Sequence, residues 1–148
     1  MKGISQKNNS MNIYFACAIV GGRRDEEIYQ KIVAQLRKDG HRVLTERLVN
    51  EDIIQLENTV KPNEVYKRDT NWILESDILI AEVSTPSHGV GYEIGFALMH
   101  SIPVICLYQE GIPVSKMILG NRDPNLSIFA YQNIDEALEI LRKRVDAN

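Results

Sequence analysis

Five short apolar runs, each followed by a polar or helix-prone segment, constrain this chain more than any other feature. The first, "NIYFACAIV" (12–20), is β-rich and almost continuously apolar, as expected for a strand covered on both faces. Behind it, "RRDEEIYQKIVAQLRKDG" (23–40) sets Ile28, Ile32, Val33 and Leu36 on one helical stripe. Acidic residues open that segment and Gly40 closes it behind basic ones, which matches the helix dipole and a glycine stop. "HRVLTE" (41–46) reads as the second strand, and residues 48–62 are too mixed to assign. "NEVYKRDTNWILES" (63–76) looks helical, with Val65, Trp72 and Ile73 among its apolar positions. "DILIAEV" (77–83) is the third strand and "GYEIGFALMHS" (91–101) the helix after it. "IPVICLY" (102–108) is the fourth strand, "GIPVSKMILG" (111–120) a loop or short helix, and "LSIFAY" (126–131) the fifth strand. "NIDEALEILRKRVDAN" (133–148) closes the chain as a helix that Asn133 can cap. Five such β-α units predict an α/β fold: an open, five-stranded parallel sheet with helices on both faces. Ligands of such sheets bind beyond the carboxyl ends of the strands, where the strand order reverses. That rule selects "ACAIVGGR", "TERLVN" and "VSTPSHGVGYE".

Composition narrows the function classes. The 148 residues suit one domain, expected over 11–148 behind a flexible polar tail at 1–10. That tail is too polar for a signal peptide, and no apolar run approaches the ~20 residues of a membrane span, so a cytoplasmic protein is expected. Net charge is −3, and the basic clusters in "GGRRD" and "LRKRV" read as solvated helix faces, so no nucleic-acid footprint is evident. Cys17 and Cys106 lie in apolar runs and read as buried free thiols. His41, His88 and His100 fall in no metal-binding spacing, and no cofactor is expected.

The paired glycines of "AIVGGRRDE" offer either an ordinary tight βα turn or an anion site at a helix start. Neither GxxxxGK[ST] nor GxGxxG is present, and "GVGYEIG" misses the dinucleotide fingerprint by one residue of spacing. Glu93 stands out as an acid near a strand-end turn in an otherwise apolar helix. It is either a first-turn residue that complements the helix dipole or a carboxylate facing the crevice, held ionised by the helix terminus as a nucleophile requires. Asp69 is either a solvated helical acid or a second carboxylate that the fold brings near Glu93. Tyr14 is a core aromatic or a hydrogen-bond partner of Glu93. Ser87 and Ser115 each read as turn formers.

Together, "IYFACAIVGGRRD", "VLTE", "YKRDTNWILESDILIAEVSTPSHGVGYEIGFAL" and "PVSKMILG" resemble the nucleoside 2-deoxyribosyltransferase superfamily, and most of all its 2'-deoxynucleoside 5'-phosphate N-hydrolase branch. The resemblance implies a flavodoxin-like, Rossmann-like sheet and cleavage of deoxynucleotides to free base and 2-deoxyribose 5-phosphate. It implies Glu93 as nucleophile, Asp69 as assisting acid and Tyr14 as the residue orienting the nucleophile. Phe15, Ala16, Cys17, Ala18, Ile19, Val20 and Gly21, with Tyr29 and Arg47, would line the substrate pocket. Ser87 and Gly89 would meet the 5'-phosphate, and Ser115, Lys116 and Met117 would reach into the site of a neighbouring subunit, implying a homodimer. This chain departs from the better-known members in carrying Ala18 and Val20 where they have serine and arginine, and Arg47 where they have histidine. Two alternatives accompany the hydrolase: a transferase that exchanges bases through the same glycosyl-enzyme, and a nucleotide-binding module without catalysis.

Overall fold

The computed structural model describes residues 10–19, 25–49 and 57–147. The tail expected over 1–10 lies almost wholly outside them, as do Val20, Gly21 and the side chain of Arg47.

Five parallel strands, β1 (Asn12–Ala16), β2 (Arg42–Val43), β3 (Ile78–Glu82), β4 (Val104–Gln109) and β5 (Leu126–Tyr131), form one sheet in the order β2-β1-β3-β4-β5. This is the flavodoxin-like order, and its reversal falls between β1 and β3. Ala16 pairs with Ala81 across that junction, so the crevice opens just beyond them. The helices are α1 (Glu26–Lys38), α2 (Pro62–Glu75), α3 (His88–Met99), the short α4 (Lys116–Leu119) and α5 (Ile134–Asp146).

Alternation along the strands splits the core in two. Ile13, Phe15, Ile78, Ile80, Ile105 and Leu107 meet Tyr29, Ile32 and Leu36 of α1 and Ala137, Leu141 and Val145 of α5. Tyr14, Leu79, Ala81, Val104 and Cys106 meet Ile73 of α2 and Val90, Ile94 and Ala97 of α3 on the other face. Strand β3 is buried along its whole length, the apolar Ile78–Ala81 and the closing Glu82 alike.

Three boundaries differ from expectation for physical reasons. β2 has two residues where six were expected, because the buried Thr45 hydroxyl takes over the pairing. It accepts from Phe15 N at 3.0 Å and donates to Phe15 O at 2.8 Å, after which the chain enters a 3-10 turn over Glu46–Val49. β1 ends at Ala16 rather than residue 20. α3 begins at His88 and not at residue 91, so Gly89 lies inside the helix and not in the turn before it. The expected ends of α1 hold: Gly40 adopts φ +93° behind Lys38, and α5 starts with the Asn133 side chain accepting from Glu136 N at 2.9 Å.

Candidate active site

Three elements deliver the acidic groups to one place. Tyr14 points from β1 to the α2/α3 face of the sheet. Asp69 stands one turn ahead of the fully buried Ile73 on α2, and therefore on the inward side of that helix. Glu93 comes from α3, one residue before the buried Ile94. The Tyr14 hydroxyl hydrogen-bonds to the Glu93 carboxyl, and the negative charge of Asp69 acts on both groups. The catalytic trio expected from the sequence is thus brought together.

Burial governs the electrostatics. It pushes the Glu93 carboxyl up to about 7; the Tyr14 hydrogen bond and the nearby Arg68 charge pull it down, and Asp69 adds a further push upward. A helix terminus was expected to hold Glu93 ionised. It does not, because Glu93 lies in the second turn of α3, and the dipole acts mainly within the first. Burial likewise raises Asp69 against the opposing pull of Arg68, so both carboxyls are inclined to keep a proton. Tyr14 is held well above the usual phenol range by burial and by the two carboxylates.

Arg68 was not singled out in the sequence, where it looks like one more charge on a helix. Its Nε donates to Asp69 at 2.8 Å, and its other nitrogens grip Glu57. Its guanidinium also lies 5.0 Å from the centre of the Trp72 ring. An Arg-Asp pair one residue apart, four residues before a tryptophan, is the signal that could have found it.

The residues that follow Tyr14 are apolar: Phe15, Ala16 and Ala18 are buried, and Cys17 and Ile19 are half-buried. Phe15 and Tyr29 lie on the α1/α5 side of the sheet, opposite Tyr14, and pack edge-on with ring centres 6.1 Å apart. The Tyr29 hydroxyl is buried without a hydrogen-bond partner among the described residues. Burial and the charges of Glu93 and Glu82 push the Cys17 thiol up to about 12, and burial does the same to Cys106; both remain free thiols and poor nucleophiles.

Ser87 and Gly89 converge on Glu93. A Cβ placed on Gly89 would lie 3.6 Å from Glu93 Oε1 and 3.8 Å from Ser87 Oγ, so both oxygens border the space above that glycine. Ser87 caps α3 by accepting from Val90 N at 3.3 Å, which leaves its own proton free to be donated. Ser115 caps α4 in the same way, accepting from Met117 N at 3.2 Å. Ser115, Met117 and Ser87 line a cavity of about 560 Å³ together with Gly91 and Gly95 of α3. Residues 91 and 95 face opposite to residue 93 on a helix of 3.6 residues per turn. The Ser115–Met117 segment therefore lies across α3 from the side of Glu93, and the exposed Lys116 and Met117 project outward. Among the described residues no group of three or more His, Cys, Asp or Glu is placed to hold a metal ion, and no helix is long and apolar enough to cross a membrane.

A 2-1-3-4-5 parallel sheet with the acidic side chains of Asp69 and Glu93 acting on Tyr14 beside it defines a flavodoxin-like α/β protein. Residues 13–135 match the model of the nucleoside 2-deoxyribosyltransferase family, and the chain belongs to that family. It is 44% identical over 128 residues to a candidate 2'-deoxynucleoside 5'-phosphate N-hydrolase of Nematostella vectensis, covering 83% of this chain and 86% of that protein. It is 38% identical over 116 residues to the 5-hydroxymethyl-dUMP N-hydrolase of Rattus norvegicus, covering 76% and 71% respectively. The solved structure of a Clostridium botulinum CMP N-glycosidase shares the fold with a TM-score of 0.71 at 22% identity, covering 90% of this chain and 98% of that one.

Proposed function

We propose that this protein hydrolyses the N-glycosidic bond of 2'-deoxynucleoside 5'-monophosphates, releasing the base and 2-deoxyribose 5-phosphate. The observation that carries the reading is the Glu93 carboxyl, largely buried, hydrogen-bonded by Tyr14 and coupled to Asp69 at the switch point of the sheet. Relatives at 38% and 44% identity bear the names of N-hydrolases of such nucleotides, which supports the same substrate class here.

In the proposed reaction the ionised Glu93 attacks C1' as the bond to the base breaks. The base leaves with a proton from Asp69, and a glycosyl-enzyme ester remains on Glu93. Water then attacks the same carbon, gives a proton to Asp69 and frees the Glu93 carboxylate. Tyr14 orients the nucleophile. Ser87 and the first N–H groups of α3 receive the 5'-phosphate, since a helix start carries donors without intrahelical acceptors. Ala16, Cys17, Ala18 and Ile19 form the apolar wall of the pocket at the end of β1, with Phe15 and Tyr29 behind it on the α1 side of the sheet; the parts expected of Val20, Gly21 and Arg47 lie outside the described residues. Ala18 supplies a methyl where the better-known members supply a hydroxyl, which shifts more of the phosphate contact onto Ser87. Ser115, Lys116 and Met117 face away from the Glu93 of their own chain, which favours a homodimer in which they complete the partner's site.

The test is a product assay on dGMP, dCMP, GMP and deoxyguanosine in parallel. Cleavage of the deoxynucleotides with little of GMP or deoxyguanosine is expected. Base exchange in the presence of a second free base would instead make the protein a transferase, and bound but uncleaved nucleotide would make it a binding module.

A further inference from the structure

Asp25 occupies the N-cap position of α1, yet its side chain makes no hydrogen bond to that helix. An aspartate there ordinarily accepts from the backbone of the second or third helical residue. Here Oδ2 accepts from the Thr85 hydroxyl at 2.5 Å, and Oδ1 from the Gln109 side-chain amide at 3.3 Å. Thr85 lies in the turn between β3 and α3, two residues before Ser87; Gln109 ends β4. One carboxylate therefore joins the start of α1, the turn that launches α3 and the end of β4.

A second layer holds the same turn from below. Ser84 Oγ accepts from Gln109 N at 2.8 Å and donates to Glu82 at 3.2 Å. Glu82, fully buried at the end of β3, also accepts from Ser84 N at 2.6 Å and from the Tyr131 hydroxyl at 2.5 Å. The turn is thus fixed on both sides, and Asp25 ties it to the start of α1. A residue that forgoes its local role for long-range contacts at the rim of a site marks a functional constraint.

On the reading that Ser87 and Glu93 serve the reaction, we propose that Asp25 is a positioning residue for it. Through Thr85 it sets the launch of α3, and so the placement of the Ser87 hydroxyl and the Glu93 carboxyl relative to β1. It touches no reacting atom.

Asp25→Ala, Thr85→Val, Thr85→Ser, the double variant Asp25→Ala/Thr85→Val and Glu93→Gln, assayed on the faster-cleaved of dGMP and dCMP, test this. Asp25→Ala and Thr85→Val should each lower kcat by about 10–10²-fold, the scale of a small misplacement, with KM changed far less and the urea midpoint nearly unmoved. Thr85→Ser keeps the hydroxyl and should retain kcat within about twofold, and the double variant should be no slower than Asp25→Ala alone. Near-normal kcat in Asp25→Ala, losses that multiply in the double variant, or a Thr85→Ser as slow as Thr85→Val would each overturn the proposal. If Asp25→Ala does not fold, the Thr85 pair decides. Full activity in Glu93→Gln would overturn the underlying catalytic reading instead, so the two failures are told apart.

Discussion

Burial pushes the Glu93 carboxyl up to about 7, and both rate and stability should register the loss of its proton. In the proposed reaction Glu93 attacks as the carboxylate, so kcat/KM is expected to rise with pH through a limb near 7. Tyr14→Phe removes a hydrogen bond that favours the carboxylate and should move that limb to higher pH. Asp69→Asn removes a charge that opposes ionisation and should move it lower, while costing about 10²–10⁴-fold in rate as a lost general acid. Shifts in the same direction for both variants would refute this electrostatic account. For stability the sign runs the other way. Below the ordinary carboxylate range Glu93 is protonated in both folded and unfolded chains and contributes nothing. As pH rises toward 7 the unfolded chain ionises first and stability falls, by roughly 3 kcal/mol once the folded group is ionised too. Glu93→Gln keeps an acceptor for Tyr14 and should therefore stabilise the protein by up to about 3 kcal/mol at pH 8 and hardly at all at pH 4. Urea unfolding at the two values checks it.

At the scale of elements, α3 does most of the positioning. Its apolar side fixes the helix on the sheet, and its second turn presents Glu93. Gly89→Ala would put a methyl in ordinary contact with Glu93 Oε1 and Ser87 Oγ, without a clash. The fold should survive and KM for the nucleotide should rise, because the methyl stands where the phosphate is proposed to sit; a KM unchanged within error would place the phosphate elsewhere. At the other end of α3, Ser101 adopts φ +58°, the left-handed conformation that glycine accepts more easily. Ser101→Gly should gain roughly 1 kcal/mol in denaturant unfolding and leave kinetics alone. The strand and helix pattern was legible from periodicity, down to the bounds of β5 and the Asn133 cap. It was not legible where a side chain replaces the backbone ladder, as Thr45 does after β2, or where a glycine imitates a turn inside a helix, as Gly89 does.

For the whole molecule, the order 2-1-3-4-5 turns residues far apart in sequence into neighbours: Tyr14, Asp69 and Glu93 meet at the one junction where the winding reverses. Family motifs made these three readable in the sequence. Arg68 and the Asp25 network were not, because their partners are set by packing and by no local spacing. The exposed surface carries a further message. Tyr66 and Tyr92 stack edge-on across α2 and α3 with ring centres 6.2 Å apart, and Tyr92 continues onto Phe96. Met99 and Met117 are 86% and 85% exposed. Such apolar side chains suit burial against a second copy. If that copy receives Ser115, then mixing inactive Glu93→Gln with an impaired Ser115→Ala variant should rebuild about one quarter of the wild-type sites. No recovery after subunit exchange would mean that each chain works by itself.

The placement of Ser115–Met117 behind α3, turned from their own Glu93, has one more consequence. In the proposed homodimer, a chain parted from its partner would keep its own Asp69 and Glu93 and lose the Ser115–Met117 segment that completes its site. Turnover per molecule should then decline on dilution into the range where subunits part, and return on reconcentration at a pace that depends on how often two chains collide.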